Sequence, residues 1–305
     1  MSSTTTSLEI HAAATEDCQP ALRLAFSGQA AGNWAEQAAS LLSAARAGKL
    51  SLNGLLEARR GGQLVGAVWV NVFPGRMASV AAPQLIEGEP ESTAEQLQQA
   101  AGRYMASHGI CVAQSLLEID HGADADRLRR GGFRHSADLL YLTCLAEHFP
   151  TAPQAGQLIF EPYSPAGSDR MGQIIQQTYQ GTLDCPQLDG VRQHDDILHG
   201  YQHTGVFHCE NWLFVRKNDE DIGCLLLADH PEVDMFELVY MGLTPRQRGQ
   251  GLGLDITRQA LWLAGHQGRG RMTLAVDAGN EPAINMYAAA GFKIWDRRSV
   301  FLKVL

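Results

Sequence analysis

Residues 245–253 read PRQRGQGLG. The glycines at 249, 251 and 253 let a main chain approach a ligand closely and adopt positive φ. An amphipathic pattern from Leu252 to His266 follows, so the loop leads into a helix start. Such a start offers unpaired N–H groups and the positive end of a dipole to an anion. Arg246 and Arg248 add charge-assisted donors. Neither the P-loop pattern G-x-x-x-x-G-K-[ST] nor the dinucleotide pattern G-x-G-x-x-G is present. A tight strand-to-helix turn would carry the same glycines without a ligand.

A second group of polar residues crowds QGTLDCPQLDGVRQHDDILHGYQHTG. Asp184, Asp189, Asp195 and Asp196, with Arg192 and Tyr201, could hold a cationic amine or simply face solvent. His194, His199, His203 and His208 invite a metal reading. His199 and His203 are four apart, but Gly200 lies between them and no H-E-x-x-H is present, so no metal is expected. Cys185 shows no thiolate-favouring surroundings.

Positioning these groups requires a scaffold, and the chain contains one twice. DADRLRRGGFRHSADLLYLTCL (124–145) and EPAINMYAAAGFKIWDRRSVFLKVL (281–305) both read helix, Gly-Phe, strand, about half a chain apart,. In the second half the spacing predicts strands at 157–162, 212–216, 222–228, 236–243 and 272–276, then closing strands at 292–295 and 300–304. Helices are expected at 168–179, 191–201, 252–266 and from 281, each by apolar periodicity or capping. The first half repeats this order, with strands at 7–11, 54–57, 64–72, 78–86, 111–119 and 139–145. Two copies follow: residues 7–150 and 155–305, joined near HFPTAPQAG, with residues 1–6 as a disordered tail. Where the first copy should carry a glycine loop it reads EGEPESTAEQ, whose glutamates would repel a diphosphate.

The stretch Arg246-x-x-Gly249-x-Gly251, preceded by Leu243-Thr244-Pro245, resembles the acyl-CoA loop of the GNAT superfamily of N-acetyltransferases. The block Asn280, Ala283, Tyr287, Gly291, Phe292 and the element order resemble it too. The tandem size with a degenerate first copy, and the strand ELVYMGLTP, are similar to the mycothiol synthase subgroup. The resemblance implies an α/β fold of two tandem GNAT-like domains. Each would be a mixed, mostly antiparallel sheet with helices on both faces and splayed parallel central strands. It implies acetyl-CoA as co-substrate and no metal. The diphosphate would lie on the amides of Arg248, Gly249, Gln250, Gly251, Leu252 and Gly253, with Arg246 nearby. Met241, Gly242 and Leu243 would contact pantetheine, and the Met241 N–H would polarise the thioester carbonyl. Gly242 itself reads as a bulge or a close backbone approach. Glu237 would be the base, with His230 as alternative, and Tyr287 the acid. Asn280 and Asn285 would contact the coenzyme.

The remaining bounds are compositional. A net charge of −9 excludes a nucleic-acid surface as the main role,. No apolar run is long enough to span a bilayer, and MSSTTTSL does not read as a signal peptide. Six cysteines without paired spacing read as free thiols in a reducing, cytoplasmic compartment,. The expected partner is a small-molecule or peptide amine, and the expected state a monomer or weak homodimer. A regulator that binds acetyl-CoA without turnover is the rival from another class.

Overall fold

The computed structural model describes residues 7–14, 18–28, 34–48, 50–119, 122–188, 191 and 193–305. Residues 1–6, expected as a tail, lie outside this set, as do Asp189 and Arg192. The first half runs β1 (Leu8–Ala12), α1 (Cys18–Ala25), α2 (Trp34–Arg46), β2 (Leu55–Arg60), β3 (Gln63–Phe73), β4 (Met77–Val80), β5 (Gln84–Leu85), α3 (Glu91–Ser107), β6 (Val112–Glu118), α4 (Gly122–Arg130) and β7 (Arg134–Leu145). The second half runs β8 (Ile159–Pro162), α5 (Ser168–Tyr179), α6 (His194–Gln202), β9 (Trp212–Lys217), β10 (Glu220–His230), β11 (Met235–Leu243), α7 (Leu252–His266), β12 (Arg271–Asp277), α8 (Glu281–Ala289) and β13 (Lys293–Val304). Among the described residues no helix is long and apolar enough to cross a membrane.

The chain forms two compact units, Met1–Ser136 with Arg298–Leu305, and Ala137–Arg297. The boundary does not follow the halves read from sequence. Residues 292–295 and 300–304, expected as two strands, form one strand, β13. Its residues Arg298–Val304 pair antiparallel with β6 of the first unit. Conversely, Leu139–Leu145 pair with β12 of the second unit. The polar DRRS (296–299) reads as a turn by composition, yet each of its residues lies in the strand. The strand expected over 78–86 is broken instead, because Pro83 cannot donate to a ladder.

In the first unit the strand order is β1-β2-β3-β4-β6-β13 and in the second β7-β12-β11-β10-β9-β8. All described pairings within them are antiparallel except β4 with β6 and β11 with β12. In the second unit, Phe236, Leu238, Met272 and Leu274 bury one sheet face against Ile256, Ala260 and Leu261 of α7 and Tyr287 of α8. The opposite face, with Cys224 and Leu226, packs on Met171, Ile174 and Ile175 of α5 and Ile197 and Leu198 of α6. The first unit repeats this, with α3 and α4 on one core and α1 and α2 on the other. Both units are therefore mixed sheets covered on two faces, as the motif resemblance implied.

Candidate active site

Strands β11 and β12 pair in parallel only at Met235↔Arg271, Phe236↔Met272 and Glu237↔Thr273. Beyond these pairs they part, which leaves one edge of β11 without a neighbour. The gap is a cleft of about 670 Å³, lined by Leu238–Leu243, the start of α7, Ala275 and Val276, and the inner face of α8. The register of β11 against β10 slips between Leu226 and Leu227, so Val239 is the extra residue of a bulge. The resemblance placed the bulge at Gly242, which instead sits in register with Cys224. Gly242 serves a close approach: a Cβ there would lie 2.6 Å from Thr178 Oγ1 and 2.8 Å from the Tyr240 hydroxyl. A bulge adds one residue and so changes which face the strand presents. Phe236 and Leu238 point to α7, whereas Tyr240 joins the core under α5 and α6.

At the mouth of the cleft, Gly249 (φ +73°) and Gly251 (φ +79°) turn the chain into α7. The amides of Gly249, Gln250, Gly251, Leu252 and Gly253 carry no hydrogen bond among the described residues. Leu254 N–H already bonds Gly251 O at 3.1 Å. Five free donors at the positive end of a 15-residue helix make an anion cradle,. The Gln250 side chain closes the loop by donating to Arg246 O at 2.9 Å.

The two arginines are placed differently from one another. Arg246 is exposed and does not line the cleft. Arg248 lines it, but its guanidinium donates to Leu243 O (3.0 Å), Gly181 O (2.9 Å) and Thr178 O (2.6 Å). It is a strut that ties the loop to the C-terminus of α5, where free carbonyls and the negative dipole end favour a cation. The sequence shows its charge but not the carbonyls that claim it. Arg248→Ala is expected to lower unfolding free energy by about 2–4 kcal/mol, seen as a reduced Tm in thermal melts of the full chain. An unchanged Tm would contradict the strut.

Met241, Gly242, Leu243 and Asn280 all line the cleft. Asn280 Oδ1 also accepts from Ala283 N at 3.3 Å, capping α8,. Asn285, by contrast, is exposed and outside the lining; it falls on the outer face of α8. Tyr287 is buried and lines the cleft, and its hydroxyl has no partner among the described residues. Burial holds its phenol well above the ordinary range, and the Asp184 charge adds to this. It therefore stays protonated at neutral pH.

Glu237 lies between Phe236 and Leu238 and so faces the α5 and α6 side, outside the main cleft lining. Its Oε2 stands 2.9 Å from His230 Nε2. That hydrogen bond raises the His230 pKa above its ordinary value, against burial, which lowers it. The two residues offered as alternative bases are thus one pair. Because the folded His230 pKa is raised, the pair stabilises the fold fully below about pH 6.5. The gain is lost as pH rises through the raised value, and partial exposure keeps it small.

Residues 175–292 match the profile of the Acetyltransferase (GNAT) family. The second unit carries a GNAT acetyltransferase domain. Mycothiol acetyltransferase of Corynebacterium glutamicum is 33% identical over 92 residues, 30% of this chain and 31% of that protein. The same enzyme of Jonesia denitrificans is 34% identical over 87 residues, 28% of each. The matched stretch thus spans less than a third of these relatives. A GCN5-related N-acetyltransferase from Sphaerobacter thermophilus superposes with a TM-score of 0.64 at 16% identity, covering 97% of this chain and 95% of that one. A tandem GNAT protein from the clavulanic acid biosynthesis pathway gives 0.53 at 14%, covering 98% of each. At such identities the likeness is one of fold, and it extends over both units.

The segment after α5 also lines the cleft, through Gly181, Thr182, Leu183 and Asp184. Asp184 Oδ1 accepts from Asp277 N at 2.8 Å, and Asp277 Oδ2 accepts from Cys185 N at 3.2 Å. Burial, with the charges of Asp184 and Asp277, pushes the Cys185 thiol up to about 12, so it does not ionise at neutral pH. Asp195 and Asp196 lie in the first turn of α6. The rings of His199 and His203 stand 4.6 Å apart, and His208 lies 3.9 Å from Asp229. Among the described residues no group of three or more His, Cys, Asp or Glu is placed to hold a metal. Tyr240 and Thr178, which sequence reading passed over, both line the cleft. An aromatic inside an apolar strand reads as core, so only its hydroxyl contact gives Tyr240 away.

The first unit has the same parting strands: β4 and β6 pair at Met77↔Val112, Ala78↔Ala113 and Ser79↔Gln114. Its cleft, though, encloses only about 40 Å³. Gln84 Nε2 donates to Asp124 Oδ1 at 2.9 Å, while Arg127 reaches Pro83 O (3.1 Å) and Glu91 Oε1 (2.7 Å). Gln84 and Asp124 line the little space that remains. Glu91 also places a carboxylate in the first turn of α3, where the GNAT domain has bare amides.

Proposed function

We propose that the chain is an N-acetyltransferase that moves acetyl from acetyl-CoA to a primary amine, directly and in a ternary complex, in its second unit. The observation that carries this reading is the set of five free amides, 249–253, at the mouth of the cleft. Their spacing and polarity suit a diphosphate. The edge of β11 at Met241–Leu243 suits an extended, amide-bearing pantetheine arm, and Asn280 borders it. Acetyl-CoA supplies an acyl thioester, whose carbonyl takes the attacking amine and whose sulfur leaves as thiolate.

The chain's own groups then have distinct tasks. The Tyr287 phenol, buried and unpartnered, donates a hydrogen bond to the departing sulfur. Its raised proton affinity makes full transfer to a thiolate of conjugate pKa about 8.5 unfavourable unless the same burial raises the thiolate too. The Glu237–His230 pair receives the proton of the acceptor ammonium, directly or through water. Above the raised His230 pKa the imidazole is free to accept it. Activity should therefore rise through an acid limb placed above about pH 6.5, and His230→Gln should move that limb downward in a pH–kcat/KM profile. An unmoved limb would remove His230 from the proton path.

The names of the curated relatives favour a finer reading, in which the acceptor is a cysteinyl amino-sugar conjugate of the mycothiol type. The first unit is proposed as structural, and the protein as a cytoplasmic monomer or weak homodimer. Thiol release from acetyl-CoA across a panel of primary amines, including glucosamine and a cysteinyl amino-sugar, tests the activity. Amine-dependent release is expected. Tight acetyl-CoA binding with no release across the panel would instead indicate a non-catalytic binder.

A further inference from the structure

Resting on that reading, we infer that the Tyr240 phenol oxygen and the Asp184 carboxylate form the subsite for the acceptor's ammonium group, with Thr178 as positioning residue. The inference follows from the direction of two hydrogen bonds. Thr178 Oγ1 has one proton, and it donates to Ile175 O at 2.7 Å. In its 2.7 Å contact with Tyr240 the threonine oxygen must therefore accept,. The Tyr240 proton is committed to Thr178, which leaves the phenol oxygen in the cleft as an acceptor only. A bound N–H satisfies such a site, and a carbonyl or thioester oxygen does not.

The ring is also held in place. It stacks on Tyr201 at 5.7 Å and 18°, and meets Tyr179 edge-on at 5.4 Å. The Tyr179 and Tyr201 hydroxyls bond each other at 3.0 Å. Side chains fixed in this way do not turn a donor toward the cleft on demand. Asp184 is held by one main-chain hydrogen bond. One carboxylate oxygen accepts the Asp277 amide, and the other has no partner among the described residues. Both phenols are raised mainly by burial, and the Asp184 charge is felt at each. Asp184, Tyr240 and Tyr287 all line the same cleft. The nearby Arg248 charge is spent on main-chain carbonyls, as described above. The lining around Tyr240 and Asp184 is therefore rich in acceptors, opposite in character to the amide cradle. A primary ammonium, with three donors and one positive charge, matches it.

The test uses the full chain and the panel amine with the highest kcat/KM. Tyr240→Phe and Asp184→Asn should each raise the amine KM about tenfold, the worth of one hydrogen bond to a charged group. The acetyl-CoA KM should stay within about twofold, and kcat at saturating amine should be largely kept. Thr178→Val, nearly isosteric, frees the Tyr240 proton and should raise the amine KM as well. Asp184→Glu should retain part of the discrimination and carries the comparison if the Asn variant does not fold. An amine KM unchanged in both Tyr240→Phe and Asp184→Asn would overturn the subsite. Parallel rises in the acetyl-CoA KM would also overturn it, by assigning these residues to the coenzyme. Failure of the wild-type chain to turn over any amine would sink the transferase reading itself, and this subsite with it.

Discussion

Tyr287→Phe is expected to lower kcat by about 100-fold or more, while acetyl-CoA affinity changes by less than about twofold. The phenol is buried against Phe292, with ring centroids 5.6 Å apart, so loss of one oxygen leaves the aromatic packing intact. No protein group shares the hydroxyl among the described residues, so its removal strands no partner. What disappears is a donor inside the cleft, and its value is greatest where negative charge develops on the leaving sulfur. Uniform binding loss would raise KM instead. Stopped-assay thiol release at saturating amine, beside a calorimetric titration of acetyl-CoA, separates the two. A variant with wild-type kcat would remove Tyr287 from the chemistry.

Gly251→Asp is expected to weaken acetyl-CoA binding by at least about 100-fold. Gly251 has φ +79° and caps α7. An L-residue there is strained in the left-handed region, and aspartate tolerates that region better than most. A Cβ would meet nothing within 4 Å, so the substitution costs little by collision. It does set a carboxylate beside the free amides, where it both competes for them and repels a diphosphate. Gly251→Asn offers the control: similar shape and backbone strain without the charge, and a smaller loss. If both variants bind acetyl-CoA as the wild type does, the loop is a turn and not a cradle.

How far the sequence carried differs from residue to residue. The glycine loop, the Asn280 cap and Tyr287 were legible because each depends on local backbone demands: positive φ, a free oxygen at a helix start, a fixed step along one helix face. The helix at 252–266 was legible through its apolar period. The bulge at Val239 was not. ELVYMGL is apolar on both faces, so nothing in its pattern marks where the register slips. Arg248 was visible as a charge, but its partners at Thr178, Gly181 and Leu243 come from folds of the chain far from it or from unmarked main-chain atoms. Asn285 shares a helix with Tyr287, yet its angular position turns it to solvent. β13 reads as two strands because Asp296, Arg297, Arg298 and Ser299 look like a turn. Composition cannot show that a strand carries polar residues while it pairs with β6. The repeat itself was readable from two Gly-Phe blocks, whereas the exchange of closing strands between the units was not, since either strand fits either sheet.

The central claim is that one acetyl-CoA binds per chain, on the amides at the start of α7, while the first unit's cleft, lined by Gln84 and Asp124, is too small to hold one. Isothermal titration of the full chain with acetyl-CoA measures it most directly. A single site per chain is expected, lost in Gly251→Asp and retained in Arg127→Met. Two sites per chain, or a single site that survives Gly251→Asp and vanishes in Arg127→Met, would contradict it.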